Sequence, residues 1–538
     1  MQASILRDRR RRPERLDRQN TDLGSGCGWN SSTDDAASQI PDSDPGTIAV
    51  AEAGGLAQWL RASGGLATTG NPEANRLGQV SWAMFEWARN PYILLVWIYL
   101  FTPYFANYVV PAGYCGPNMP RGACGQGIAG VIQAYSGIFI AILAPFLGAI
   151  ADRGGRRKPW VALYAAILAG ASFMMWFSKA DSDAQGVFFV GAMIAIANVA
   201  YEFSAVFHNS LLPTIASHRR IASLSGLGLS LGNFAGILLL LFMLIGFALP
   251  GKIGWSFIPS HPLFGIDQSL HEPERLSGPV SAIWLLIFSI PLFLFTPDTP
   301  ASNLKLHQAM VAGVRSVIAT IRSLKHYRNV GMYLLARLFF NDGMTAVLLF
   351  GGIYASSTFG WGPIQLLIYG IELSIFAVFG GFFGGWIDNR LGSKRAIFIS
   401  IGGTTIFGLL ALTMGPDRIF WFIPFDVHAP HVWSLPFFNT WPEIIFLGIV
   451  NFIAILITAG YANSRTMLAR IAPPEKMTEF FGLYSLSGQS TSFLATGFIG
   501  WLTLVAHNQR IGLLGETLFL TVGLFLMLFV KEQRATTL

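Results

Sequence analysis

The stretch Gly148-Ala-Ile-Ala-Asp152-Arg153-Gly-Gly-Arg156-Arg157-Lys158-Pro159 sets one acid and four bases between two apolar runs. It is echoed as Gly384-Gly-Trp-Ile-Asp388-Asn-Arg390-Leu-Gly-Ser-Lys394-Arg395, with Gly and Asp each returning 236 positions on (148 to 384, 152 to 388). The bases slip by one residue across the turn. A weak internal repeat between apolar segments marks a transporter built from two parallel halves. Both copies read as matching loops of a polytopic membrane protein.

Composition supports that reading. Of 538 residues, 52% are hydrophobic and 12% charged, with 43 Phe and 15 Trp. Soluble domains carry about 25% charged residues. From Leu77 onward twelve apolar segments are each long enough to cross roughly 30 Å of hydrocarbon as a helix of about 20 residues. The expected fold is all-α and integral to the membrane, with twelve transmembrane helices in two six-helix halves. The halves span 75–296 and 330–530. They are joined by a cytoplasmic connector over 297–329 and flanked by cytoplasmic tails, 1–74 (disordered) and 531–538.

The net charge of +7 does not call for nucleic acid. The bases lie in loops on one side: around Arg153 to Lys158, Arg219/Arg220, the connector, Arg390 to Arg395, Arg470/Lys476 and Lys531/Arg534. Positive-inside logic puts that side and both termini in the cytoplasm, and a bacterial inner membrane is the expected site. Cys115 and Cys124 share a loop on the other side, where a disulfide and two free thiols are both open readings.

Ionisable groups at bilayer depth are costly, so their placement is informative. They concentrate in the first, fourth, seventh and tenth spans. Glu86, Arg89 and Asn90 share a face of the first. Asn198, Glu202 and Asn209 form a stripe on the fourth, beside His208. Arg337, Asn341 and Asp342 lie on the seventh, and Asn451, Thr458, Tyr461 and Arg465 on the tenth. The third, sixth, ninth and twelfth spans are nearly free of such groups and are expected to face lipid. Glu86, Glu202 and Asp342 are the candidates for proton or cation contacts, with Glu372 of the eighth span as a further proton site. Arg89, Arg337 and Arg465 are candidates for carboxylate binding or gating; Asn90, Asn198, Asn209, Asn341 and Tyr461 would orient the solute. Asp342 and Arg465 have three readings: a gate with each other, pairs with Arg89 and Glu86, or a zwitterion site. In the repeated loops Gly148, Asp152, Arg153, Arg156, Arg157, Gly384, Asp388, Arg390, Lys394 and Arg395 are read as a cytoplasmic gate that latches one face closed.

Gly228-Leu-Ser230-Leu-Gly232 fits a hydrolase elbow but sits inside an apolar span, so it reads as a helix-packing face. No metal-ligand spacing, phosphate loop or Walker motif is present. The chain is therefore expected to be no enzyme and to need no cofactor or metal, and to be driven by an ion gradient or by its solute's own.

The Gly148–Pro159 loop resembles the signature of the major facilitator superfamily. Trp82-Ala-Met-Phe-Glu86-Trp87-Ala-Arg-Asn90-Pro-Tyr92, Phe207-His-Asn209-Ser-Leu-Leu-Pro213, Asn341-Asp342-Gly343, Ser464-Arg465 and Glu479-Phe-Phe-Gly482-Leu-Tyr484 narrow the likeness. They are similar to the autophagy-associated vacuolar amino-acid effluxers and their bacterial relatives. The likeness covers about 80 to 530. It implies alternating access and an amino-acid-like solute, with protons as a candidate coupling ion. Departures fall on the cavity spans: Glu86 where that family has Asp, Arg89-Asn90-Pro91 where it has Asn-Ser-Tyr-like residues, His208 for a Tyr, and Tyr461-Ala-Asn463 lacking a Gln. The expected partners are a small solute and membrane lipids, for a monomer. Alternatives are a drug or other metabolite exporter of the superfamily, and a receptor or scaffold that does not transport.

Overall fold

Apolar runs of this length form helices in a bilayer because a helix satisfies its backbone N–H and C=O groups within one segment. The computed structural model describes residues 65–117, 121–251, 256–300, 306–322, 327–361, 363–426, 430–433, 437–489, 492–506 and 509–532. In order come α1 (Arg76–Val109), α2 (Arg121–Gly154), α3 (Lys158–Phe177), α4 (Ala184–Ile215), α5 (Ile221–Ala248) and α6 (Glu272–Phe295). A connector helix follows, α7 (Leu306–Arg322). The second half holds α8 (Arg328–Phe359), α9 (Pro363–Leu391), α10 (Ser393–Leu412), α11 (Trp441–Ile471), α12 (Met477–Gln489), α13 (Ser492–Ala506) and α14 (Gln509–Leu528). Eleven helices among the described residues are long and apolar enough to span. The remaining expected span, 478–506, is occupied by α12 and α13 on either side of 490–491.

Local chemistry starts the helices. Asn75 accepts from Gly78 N at 2.8 Å to cap α1, and Asp183 accepts from Gly186 N at 2.8 Å to cap α4. Thr440 and Glu443 form a capping box on α11. Beyond Pro91 the first helix loosens into π-helical turns over Ile93–Tyr99 and again over Phe105–Val109, as expected where Pro removes a backbone donor.

Two seams join the halves, α2 against α12 and α5 against α9. Both depend on small residues that let backbones touch. A Cβ on Gly482 would meet the Ala144 carbonyl, and one on Gly226 the Gly381 carbonyl. Nearer the basic loops, a Cβ on Gly148 would meet Thr478 O, and one on Gly385 would lie 3.0 Å from Ala222 O. The crossing thus recurs in both halves but slips by one residue: Gly384, the counterpart of Gly148, meets Ala459 of α11 within its own half.

Residues 65–74, read from the sequence as the end of a disordered tail, are ordered; the rest of that tail, 1–64, and positions 533–538 lie outside the described residues. Thr68 N and Ala74 N donate to Ala216 O and Ile215 O, both at 3.0 Å, and Glu73 Oε1 pairs with Arg220 at 2.7 Å. The orphan carbonyls at the end of α4 recruit this segment as their partner. On the opposite face Cys115 and Cys124 are joined as a disulfide, Cα atoms 5.8 Å apart. Arg121 and Asp181, 2.8 Å apart, tie that loop to the next. A two-stranded hairpin, β1 (Arg418–Ile419) with β2 (Ile423–Pro424), decorates the α10–α11 loop.

Candidate functional site

Arg465 of α11 is the hub. Its Nη1 donates to Glu86 Oε1 of α1 at 2.7 Å and to Asn209 Oδ1 of α4 at 2.9 Å. Its Nε and Nη2 donate to Ser225 Oγ and Ser225 O of α5, at 3.0 and 2.9 Å. Glu86 Oε2 accepts in turn from Arg89 at 2.7 Å, and Arg89 reaches Tyr201 O at 3.3 Å with its guanidinium over the Tyr201 ring. Both ends of the Glu86–Arg465 pair are buried, with side-chain exposures of 3% and 5%. Glu86 is thus the partner that Arg465 meets here, one of those the sequence suggested for it. His208 is placed in the same wall: it stacks on Trp82 at 4.4 Å, Trp82 Nε1 donates to His208 O, and His208 Nε2 lies 2.9 Å from Trp82 O.

A second cluster stays within the C-terminal half. Arg337 Nη1 donates to Tyr484 O at 2.6 Å and to Ser487 Oγ at 2.8 Å, Nε to Ser464 Oγ at 3.2 Å, and Nη2 to Asn341 Oδ1 at 3.2 Å. Its guanidinium lies 3.4 Å from the Tyr484 ring centroid. Two side-chain amides each bridge within one half: Asn198 to Gln133 at 2.8 Å, and Asn451 to Glu372 at 2.7 Å. Tyr461 OH is 3.4 Å from Thr345, and Tyr201 OH 3.4 Å from Asn90. Glu202 and Asp342 are buried in α4 and α8. None of these residues lines the large cavity, of about 760 Å³ between α2, α3 and α4. Its walls include Ile132, Tyr135, Phe139, Phe188 and Phe203, which make it an apolar groove.

The repeated loops divide their work. Asp152 pairs with Arg157 at 3.0 Å and accepts from Thr478 N and Glu479 N, at 3.2 and 2.9 Å, at the head of α12. In the second copy Asp388 turns inward, to Arg470 at 2.6 Å and Ser393 Oγ at 2.7 Å. Asn389 makes the crossing instead, to Ser223 Oγ at 2.6 Å. Lys158 Nζ donates to Phe293 O and Thr296 O at the end of α6, as Lys394 Nζ does to Leu528 O and Val530 O at the end of α14. Asp298 caps α3 through Arg157 N at 2.9 Å, and Glu532 caps α10 through Ser393 N at 2.7 Å. Arg153, Arg156 and Arg395 are exposed, and Arg390 covers the Trp386 ring at 4.6 Å. Asp298, Glu532 and Asn389 are absent from the sequence reading. A signal for the first two existed: each acid stands just past the last helix of its half.

The sequence pattern described as "Vacuole effluxer Atg22 like" matches residues 126–537. The chain belongs to this family. The MFS-type transporter YxiO of Bacillus subtilis is 21% identical over 456 residues, 85% of this chain and 95% of its own. Autophagy-related protein 22 of Yarrowia lipolytica is 21% identical over 335 residues, and the match spans 58% of this chain and about half (51%) of that relative. Among solved structures, the proton:xylose symporter XylE superposes with a TM-score of 0.57 at 13% identity, covering 85% of this chain and 95% of that one. A bacterial homologue of the iron transporter ferroportin, in an outward-facing state, gives 0.56 at 9%, covering 84% and 98%. At such identities these establish the major facilitator fold. The protein is a multi-pass secondary transporter and not an enzyme.

Proposed function

We propose that this transporter moves a small zwitterionic metabolite, an amino acid or close analogue, by alternating access with a proton as coupling ion. The observation that carries the reading is the Glu86–Arg465 bridge. It links α1 of one half to α11 of the other at the face bearing the basic loops. Removing one partner of a buried ion pair costs about 3–5 kcal/mol, so this pair is a lock that opening of that face has to release. On the other face the outer part of α2 stands open, with Tyr135, Phe139 and Ile142 exposed. The conformation is then one sealed toward the cytoplasm, with the basic loops and both termini inside. The disulfide on the opposite face fits an oxidising periplasm, and a bacterial inner membrane as the location.

The solute class follows from paired signs. The N-terminal half offers Glu202 and Arg89 with Asn90, Asn198 and Asn209, and the C-terminal half Arg337 with Asn341, Asp342 and Tyr461. Such a set matches an ammonium and a carboxylate carried on one small molecule. The test is uptake of pooled labelled amino acids into proteoliposomes under an imposed pH gradient. Gradient-driven accumulation that is lost in Asp342→Asn or Glu202→Gln is expected. An absence of flux across the pool, in protein shown to be folded, overturns the amino-acid assignment.

A further inference from the structure

The twelfth span, nearly free of ionisable groups, was expected to face lipid, yet its Glu516 on α14 is only 5% exposed and turns into the C-terminal half. It lines a cavity of about 50 Å³ with Tyr354 of α8, Tyr369 and Leu373 of α9, Gly408 of α10 and Phe446 of α11. A Cβ on Gly408 would lie 3.8 Å from Glu516 Oε1. A water needs about 10–15 Å³ of such space, so the chamber holds a few.

The groups that could answer a charge on Glu516 are few. From α8 come the Tyr354 phenol and Asp342, which adjoins Gly343 where that glycine crosses Leu520 of α14. From α9 comes Tyr369. The lining residues of α10 and α11 are apolar, and α13 carries no titratable side chain. Arg510, on Glu516's own helix, donates to Met414 O at 2.9 Å and to the Tyr354 hydroxyl. Among the described residues none supplies Glu516 with a cation. A carboxylate without a counter-ion at bilayer depth costs several kcal/mol, whereas the neutral acid is tolerated. Such a chamber selects the smallest cation, a proton.

Tyr369 gives the chamber an exit. It lines the chamber with Glu516 and stands one turn before Glu372 on α9, and Glu372 holds Asn451 at 2.7 Å beside the central polar residues. We propose that Glu516 is a proton-holding site and that Tyr369 relays its proton to Glu372. Directly or through a water, the Tyr369 oxygen accepts the Glu516 proton as its own passes to Glu372. The phenol ends neutral, Glu516 anionic and Glu372 protonated. The proposal rests on the transporter being proton-coupled, but its binding step can be tested without a known solute.

A protonated carboxyl in apolar surroundings adds to the central carbon of dicyclohexylcarbodiimide, its proton passing to nitrogen. The full chain in liposomes is treated at about pH 6 and about pH 10, far to either side of neutral, and the adduct is mapped by mass spectrometry. The expected result is an adduct on Glu516 that falls at least about tenfold at the higher pH and is absent in Glu516→Gln. Tyr369→Phe is expected to keep the adduct, and to lose about tenfold in gradient-driven accumulation while solute exchange without a gradient persists. An unmodified Glu516 in folded protein, a pH-independent adduct, or wild-type accumulation by Glu516→Gln overturns the proposal. Normal modification with no flux of any amino acid would instead sink the solute assignment and leave the proton site standing.

Discussion

The two seams are built alike and latched differently. At the α2–α12 seam a carboxylate, Asp152, faces two backbone N–H groups at a helix head. Among the described residues the α5–α9 seam has only neutral bonds: the Asn389 amide on the Ser223 hydroxyl, and Ser230 Oγ on Val378 O at 2.7 Å. A charge at a helix N-terminus contributes up to about 2 kcal/mol when partly buried, and a neutral hydrogen bond about 1. The repeat therefore conserves the crossing but not its chemistry: one seam is latched by a charge, the other by neutral hydrogen bonds alone. Asp152 combines two tasks, binding within its half and across to the other. The second copy splits them between Asp388 and Asn389.

Substitutions at the glycine crossings should break the comparison outright. Gly226→Val and Gly482→Val each drive a side chain into a facing carbonyl, and overpacking of this kind costs about 3 kcal/mol or more. Spin labels at the exposed positions 153 and 390 should then report halves further apart, to similar extents in the two variants. Next comes Asp388→Asn. Arg470 loses its 2.6 Å partner, with a cost of about 3 kcal/mol for a broken buried pair. Because that pair lies within one half, thermal unfolding should move down by several degrees while the label separation stays put. Asp152→Asn should cost about 2 kcal/mol of the closed state, roughly a thirtyfold shift toward opening, read from the same pair of labels. Asn389→Ala should be the mildest, near 1 kcal/mol. Equal shifts for Asp152→Asn and Asn389→Ala would show that charge plays no part in the difference.

Much of this was legible in the sequence. Apolar length fixes the spans, loop charge sorts the two faces, and helical pitch collects Glu86 with Arg89 and Asn341 with Arg337. What pitch cannot deliver is partnership between distant helices. The sequence left several partners open for Arg465, and only the fold shows it against Glu86, 379 positions away. Aligning Asp152 with Asp388 by sequence was sound for the contact inside each half. It failed across the seam, where the one-residue slip hands the role to Asn389. Glu516 escaped notice because one acid in an otherwise apolar helix carries no periodicity, and only packing shows which way it faces.

The loosened turns of α1 have a mechanical consequence. Each π-helical turn stores about one residue more than α geometry requires. Retightening one would twist everything beyond it by about 100°. Glu86 and Arg89 lie before these turns, while Tyr99, Tyr104 and Tyr108 lie within or past them. The basic-loop end of the first helix can thus stay pinned by the Glu86–Arg465 pair while the far end swivels, a torsion joint rather than a lever.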